Sequence, residues 1–402
     1  MERNIRLYPL YQAARSSAFW LPVFILYFSS RFDAAEVLQL EAIYYASVVL
    51  MEVPSGYLSD RIGRRPTLLL AAVSWMVGYA ALAFGGAWWV FAAGQVAIAA
   101  GMAFNSGTDS ALVFDSLSAL GRARDVAAVE GRAQSWAATS MAVAALAGGL
   151  LASVDLRLGH ALSAVGSAAA FAFAMFIQEP PRVANAQRPW TQLRGVVTSL
   201  RDPALRWLFA FSIAMTVFNH VPYELAQPYL SLVLSELGVR GFTPAASGLM
   251  MFMMMGAAAV ASRFSEPASR RVGVAPVLLG AMVVQGIVIA GLAAVVHPVI
   301  VILLLLRSVP GALSRPLELQ CVLPKVGAHQ RATYLSVQSL AGRLAFTGAL
   351  TLGSGMVGSL EDLGPAAISR LAGGAGLALL IAVAILAWTR RAVGLGDGDS
   401  SA

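Results

Sequence analysis

The sequence predicts an all-α integral membrane protein whose twelve spans form two six-helix bundles related by pseudo-two-fold symmetry. Three observations carry this expectation. The 402 residues are 58% hydrophobic and only 12% charged, with a mean hydropathy of +0.71, whereas a soluble domain carries about 25% charged residues. Apolar runs near the roughly 20 residues that a spanning helix needs recur along the whole chain, separated by short polar turns. The second half also repeats landmarks of the first at a nearly constant offset, as chains built from two internal repeats do.

The basic excess does not point to nucleic acid. The net charge is +7, but the arginines sit between apolar runs and do not build one polar face, so they read as orientation signals in a membrane. The only cysteine, Cys321, allows no intramolecular disulfide and reads as a small buried hydrophobe. His160, His220, His297 and His329 are scattered without ligand spacing, so neither metal nor cofactor is expected. The first apolar run ends in Ser29-Ser30-Arg31-Phe32-Asp33 with no small-residue cleavage site and is read as a retained span.

In chain order, a basic N-terminus (Arg3, Arg6, Arg15) precedes span 1, from about 18 to 30, and Arg31-Phe32-Asp33 turns into span 2, about 37 to 58. Span 3 covers about 67 to 84, and Trp88-Trp89 then stands where an interfacial aromatic belt would place it. Span 4 runs to about 117, a polar basic stretch covers 121 to 132, span 5 ends near 154 and span 6 near 177. The linker is rich in Pro, Arg, Asn and Gln, with Trp190, Leu193, Val197 and Leu200 at helical spacing opposite Arg194 and Arg201, which predicts an amphipathic helix on the membrane surface. Six further spans are expected at about 205–234, 245–262, 274–295, 298–323, 332–357 and 366–388. The resulting domains are a first bundle over 1–178, a cytoplasmic linker over 179–204, a second bundle over 205–391 and a disordered tail over 392–402. With both termini cytoplasmic, 21 of the 28 basic residues fall in cytoplasmic segments, four (Arg31, Arg157, Arg240, Arg370) outside and three within spans. The positive-inside rule selects that orientation.

A shift of 210 residues carries Gly63 onto Gly273 and Gly101 onto Gly311. A shift of 204 carries Gln134-Ser135 onto Gln338-Ser339 and Gly149 onto Gly353. The agreement of these pairs with span order supports two homologous halves. The second copy of the basic junction, Arg270-Arg271-Val272-Gly273, is degenerate, with Arg270 in the place of Asp60.

That junction in the first half is Gly56-Tyr57-Leu58-Ser59-Asp60-Arg61-Ile62-Gly63-Arg64-Arg65-Pro66, read as a short, tightly turned basic loop. Gly56 and Gly63 permit close approach and positive φ. Asp60 can accept from free backbone N–H groups at a neighbouring helix N-terminus. Arg61, Arg64 and Arg65 need acidic partners, and Asp115, at the inner end of span 4, and Glu52, one turn before the loop, lie in the right layer. The spacing Gly-x3-Asp-Arg-x-Gly-Arg-Arg resembles the loop between helices 2 and 3 of the major facilitator superfamily of secondary transporters. The resemblance implies that fold, a site lined by helices 1, 4, 7 and 10, and a charge cluster that latches the cytoplasmic ends of the bundles. The plainer reading of these arginines is service to the positive-inside rule alone.

Ionisable groups deeper in the membrane are costly and therefore functional candidates. Arg307 is the deepest cation, and Arg307-x3-Gly311 resembles a pattern that proton-coupled members carry in helix 4, where this chain has Ala97 before Gly101. Span 5 lacks the Gly-Pro signature of drug antiporters and offers Gly148-Gly149. Asp109, in the polar break Asn105-Ser106-Gly107-Thr108-Asp109-Ser110, lies about 9 Å of helix above Asp115 and is the first candidate for a titrating coupling group, with a structural hydrogen bond as the alternative. Glu224, between Pro222 and Pro228, is a second proton or outer-gate candidate. Arg315, Glu318 and Arg343 are spaced as an inner ion-pair set between spans 10 and 11. The methionines at 250, 251, 253, 254 and 255 read as a flexible binding wall or as ordinary core.

The expected function is alternating-access transport of a small organic solute across a bacterial cytoplasmic membrane by a monomer, with protons and lipids as further partners, and export preferred on the resemblance. Proton-coupled uptake of an organic anion, with Arg307 as counter-ion, is the alternative within the class. A membrane enzyme or a non-transporting receptor is the alternative outside it. No Gly-rich phosphate loop with Lys is present, which disfavours ATP hydrolysis.

Overall fold

The structure is a computed structural model that describes residues 1–181, 189–236, 238, 244–354 and 365–390. Every regular element among the described residues is helical. The expected tail, the end of span 11 at 355–357, the linker residues 182–188 and the turn around Arg240 lie outside the described residues.

The first expected span differs most from the sequence reading. Helix α1 (Glu2–Arg15) occupies what reads as a basic N-terminal segment, and the chain then breaks before a 3-10 turn (Leu21–Val23) and a short α2 (Phe24–Ser29). Periodicity misses α1 because its inward face is polar. Tyr8 and Tyr11 are fully buried, and Asn4 donates to Ser116 Oγ at 2.9 Å and to the Gln178 carbonyl at 2.8 Å. A helix whose polar groups are bonded inside the bundle does not need an apolar composition. The break itself is buried in protein, where irregular backbone is tolerated at membrane depth. The Phe19 N–H donates to Ser163 Oγ at 3.1 Å, and the Phe19 carbonyl presses so closely on Gly148 that no side chain fits there.

Helix α3 (Ala34–Ile62) begins earlier than expected because Asp33 and Glu36 form a reciprocal capping box. It also ends later. The eleven-residue motif is not a loop: α3 runs through Ile62, Gly63 alone is non-helical, and α4 (Arg64–Phe84) follows. Pro66 sits in the first turn of α4, where the missing N–H has no partner to lose. Span 4 is α5 (Trp88–Asn105) and α6 (Thr108–Ala119), hinged at Ser106-Gly107 with Gly107 at φ 73°. Helix α7 (Val126–Leu151) starts inside the stretch read as a polar loop, and α8 (Arg157–Phe176) closes the first bundle.

Linker helix α9 (Pro189–Ser199) forms within the linker and meets the bundles through Gln192 and Val196. Gln192 and Val196 are buried while Trp190 is 80% exposed; Gln192 donates to the His329 carbonyl at 3.0 Å, and its amide oxygen lies 3.2 Å from Thr333 Oγ1 at the start of the eleventh span. The second bundle comprises α10 (Pro203–Glu236), α11 (Pro244–Arg263), α12 (Ser265–Val272), α13 (Val274–Ala294), α14 (Pro298–Leu305), α15 (Val309–Val322), α16 (Arg331–Ser354) and α17 (Pro365–Thr389). Like span 4, span 10 is broken, here between α14 and α15.

Nine helices among the described residues are long and apolar enough to cross a membrane. Spans 1, 5 and 11 of the expected twelve fall outside that set: span 1 is cut into pieces too short to cross a membrane, and α7 and α16 carry polar and charged residues. Within the first bundle α4 packs on α5 and α8, α3 on α5, and α1 on α7 and α8; within the second α13 packs on α17 and α15, and α10 on α16. The bundles meet along two seams, α7 with α11 and α3 with α16.

Candidate functional site

At the end of the molecule that holds the N-terminus, the α3–α4 junction reaches across to α16. Asp60 accepts from the Thr333 N–H at 3.0 Å, from Thr333 Oγ1 at 2.7 Å and from the Ala332 N–H at 3.4 Å. These are first-turn groups of α16 that have no acceptor within their own helix, so the carboxylate satisfies them and meets the positive end of the helix dipole. Gly56 permits the approach: a Cβ there would stand 2.7 Å from Ser336 Oγ and 2.9 Å from the Ala332 carbonyl.

Arg64 is buried and ties the layer together. Its guanidinium bonds Asp60, reaches Asp115 Oδ2 at 3.2 Å and donates to the Ala328 carbonyl at 3.0 Å. Asp115 in turn pairs with Arg331, whose guanidinium lies 4.3 Å from the Phe114 ring centre. Glu179 accepts from the backbone N–H groups of Arg64 and Arg65, both at 2.8 Å, and so caps α4. Arg65 donates to the Met175 carbonyl at 2.9 Å, and Arg61 is exposed. Sequence reasoning missed Arg331, Thr333 and Glu179. The signals were an arginine opening span 11 and a lone acid closing span 6.

Two expected groupings are not formed. Glu52 does not serve the junction arginines; it lies deeper, accepts from Ser106 Oγ at the α5–α6 hinge (2.5 Å) and stands 3.9 Å from Arg343. Arg315, Glu318 and Arg343 are not one set. Arg315 and Glu318 pair within one turn of α15 at 3.2 Å, while Arg343 turns to Glu52 across the α3–α16 seam. The spacing argument fails because it does not fix which face of α16 meets which bundle.

Deeper in the first bundle, the broken helices bring a polar network together. Asp109 accepts from Gln12 at 2.9 Å, Asn105 at 2.9 Å, the Ser110 N–H at 2.8 Å and Arg15 at 3.4 Å. Tyr11 donates to Asn105 at 2.8 Å. Tyr8 donates to Glu130, a buried carboxylate on α7 that the sequence reading left in the polar stretch before span 5. The Gly107 hinge sets this geometry by starting α6 afresh, so that Asp109 lies in its first turn.

In the second bundle, Arg307 sits at the α14–α15 break. Its Nε is 2.8 Å from Met254 Sδ, a weak acceptor, and its guanidinium lies 4.9 Å from the Tyr223 ring centre. It makes no ion pair within 4 Å among the described residues. Glu224 is an exposed neighbour of Tyr223. Among the described residues no group of His, Cys, Asp and Glu is placed to hold a metal.

Two helical bundles joined by a polar seam at one end, with buried charge at broken helices, define a polytopic carrier. The chain belongs to the Major Facilitator Superfamily, whose family model matches residues 13–350. It is a multi-pass membrane protein and a secondary transporter of small molecules, not an enzyme. Its fold is similar to the human organic anion transporter MFSD10 (TETRAN), at 18% identity and a TM-score of 0.70, covering 95% of this chain and 99% of that one. It is also similar to the transporter FucP in its outward conformation, at 13% identity and a TM-score of 0.71, covering 96% of this chain and 98% of that one. The curated proteins contain no match.

Proposed function

We propose that this chain is a proton-coupled carrier that exports a small organic solute across a bacterial cytoplasmic membrane as a monomer, with Asp109 as coupling group. The observation that carries the coupling is the convergence of Arg15, Gln12 and Asn105 from two broken helices on Asp109. A proton on that carboxylate removes the charge that holds Arg15, and so links ionisation to the packing of α1 against α6. The arginine distribution supports placing both termini in the cytoplasm. In that orientation the Asp60–α16 contact lies at the cytoplasmic end and would serve as the cytoplasmic gate. Export is the direction the family resemblance supports.

The test is transport in reconstituted vesicles. Asp109→Asn is expected to abolish gradient-driven flux while counterflow of a substrate found by thermal-shift screening persists. Undiminished uphill transport in that variant removes Asp109 from the mechanism. A second reading, uptake of an organic anion, is supported by Arg307, which has a sulfur and an aromatic ring as neighbours and no carboxylate in ion-pair reach. One protein of similar fold is named as an organic anion transporter. Under that reading Arg307→Gln loses substrate binding itself.

A further inference from the structure

The first-bundle network contains two carboxylates in different electrostatic settings. Glu130 lies on the second turn of α7 and is 6% exposed. Both of its oxygens are reached by the Tyr8 hydroxyl, at 3.2 and 3.0 Å. The direction of that bond follows from its neighbours. Arg15 Nε donates to the Gln12 side-chain oxygen Oε1, which leaves the side-chain amide nitrogen to donate to Asp109 at 2.9 Å and to the Tyr8 oxygen at 2.7 Å. The single Tyr8 proton therefore goes to Glu130.

Asp109 has four donors, one of them a guanidinium. Glu130 has the Tyr8 hydroxyl, with the Ser110 hydroxyl of α6 facing it. No ammonium or guanidinium stands within 4 Å of it among the described residues. Arg315 of α15 faces it from the other bundle, but that arginine is paired with Glu318 at 3.2 Å. Asp109 is balanced by Arg15, so an ionised Glu130 would leave a net negative charge withdrawn from water, which is strongly unfavourable. A neutral carboxyl fits: it accepts from Tyr8 and donates its own O–H to Ser110.

We propose that Glu130 is a proton-binding site of this carrier, occupied in the state closed at the α3–α16 seam while Asp109 stays paired with Arg15. This rests on the coupling reading above. The position also reports on the other bundle. A Cβ on the adjacent Gly131 would stand 2.6 Å from the Ser262 carbonyl of α11 and 4.0 Å from Pro316 of α15. Separation of α15 from α7 admits water to Glu130, and the proton leaves to that water.

Infrared spectroscopy of the full chain in lipid nanodiscs at neutral pH tests the site without a substrate. The wild type is expected to show a protonated-carboxyl C=O band that is lost completely in Glu130→Gln and kept in Asp109→Asn. Tyr8→Phe is expected to keep the band at a higher frequency, because the carbonyl loses a donor. A band that survives in Glu130→Gln, or that disappears equally in Asp109→Asn, overturns the proposal. Should Glu130→Gln fail to fold, the Tyr8→Phe shift decides: an unmoved frequency overturns the site. Gradient-driven flux is read separately. If wild-type flux ignores the proton gradient while Glu130→Gln still loses the band, the coupling reading falls and the proton site stands.

Discussion

The α3–α4 and α12–α13 junctions use the same backbone device with different chemistry. Gly63 has φ 118° and ψ 163°, and Gly273, 210 residues later, has φ 89° and ψ 160°; each is the single non-helical residue between two helices. In the first junction Asp60 and Arg64 are buried and bond across to α16. In the second, Arg270 pairs with Glu266 within its own helix, and its side chain is 77% exposed. Beside that junction the α7–α11 seam is closed by the approach of Gly131 to the Ser262 carbonyl and by a hydrogen bond from Arg263 Nε to Ser135 Oγ at 2.9 Å. One seam is therefore joined through a buried Asp–Arg pair, and the other through close packing and a hydrogen bond to a serine hydroxyl. Both junctions keep the turn, and the buried Asp–Arg pair is present in the first only.

The largest expected difference is between Asp60→Ala and Arg270→Ala. Removing one partner of a buried charge pair costs about 3–5 kcal/mol, and here it also strands Arg64 and the first N–H groups of α16. Asp60→Ala is expected to open the α3–α16 seam, read as a lengthened distance between spin labels on those helices at the N-terminal end. Arg270→Ala touches an exposed pair and is expected to stay within about 0.5 kcal/mol of wild type. Equal responses from the two variants would sink the asymmetry.

Why one junction was legible as a charge cluster and the deeper network was not is a matter of what a one-dimensional pattern encodes. The motif from Gly56 to Pro66 is contiguous, so its spacing pointed to Asp60, Arg64 and Asp115 as one layer. Its partners on α16 were not legible, because Ala332 and Thr333 act through backbone N–H groups that every residue has. Helix α1 was invisible to hydropathy since its buried face is Asn4, Tyr8, Tyr11 and Gln12, polar side chains whose partners lie about 100 or more residues away on other helices. Glu130 was hidden for a related reason: it follows a run of arginines, and only the start of α7 at Val126 moves it from a surface turn into the bundle. The Arg343 to Glu52 pairing needed the seam itself, since it joins opposite bundles.

A smaller effect tests whether the two junctions are structural equivalents. Both glycines lie in a backbone region that L side chains rarely enter, at a cost of about 1–3 kcal/mol. Gly63→Ala and Gly273→Ala are expected to lower stability by similar amounts in thermal unfolding, although only the first junction carries a buried Asp–Arg pair. A silent Gly273→Ala would mean that the second turn has relaxed away from its counterpart, and the duplication argument would weaken with it.

The smallest effect separates buried polar contacts from exposed ones at the same end of the molecule. Lys325, between α15 and α16, pairs with Asp202 at the foot of α10 at 3.0 Å, with side chains 43% and 35% exposed. Partial burial pushes the Asp202 carboxyl up, but its bonds from Lys325 and from the Ala204 and Leu205 N–H groups outweigh that and hold it below the usual carboxylate range. A carboxyl more acidic in the native than in the unfolded chain stabilises the fold at pH values above its unfolded range, and that contribution fades as pH falls through its native value. For an exposed pair the contribution is about 0.2–1 kcal/mol and is screened by salt. Asp202→Asn is therefore expected to destabilise slightly at neutral pH and low salt, and to match wild type in strong acid or in about 1 M salt. Salt should leave the Asp60→Ala difference standing, because Asp60 and Arg64 meet out of contact with solvent. If added salt erased both differences alike, the seam at Asp60 would be a solvated surface contact, and the contrast between the two junctions would lose its physical basis.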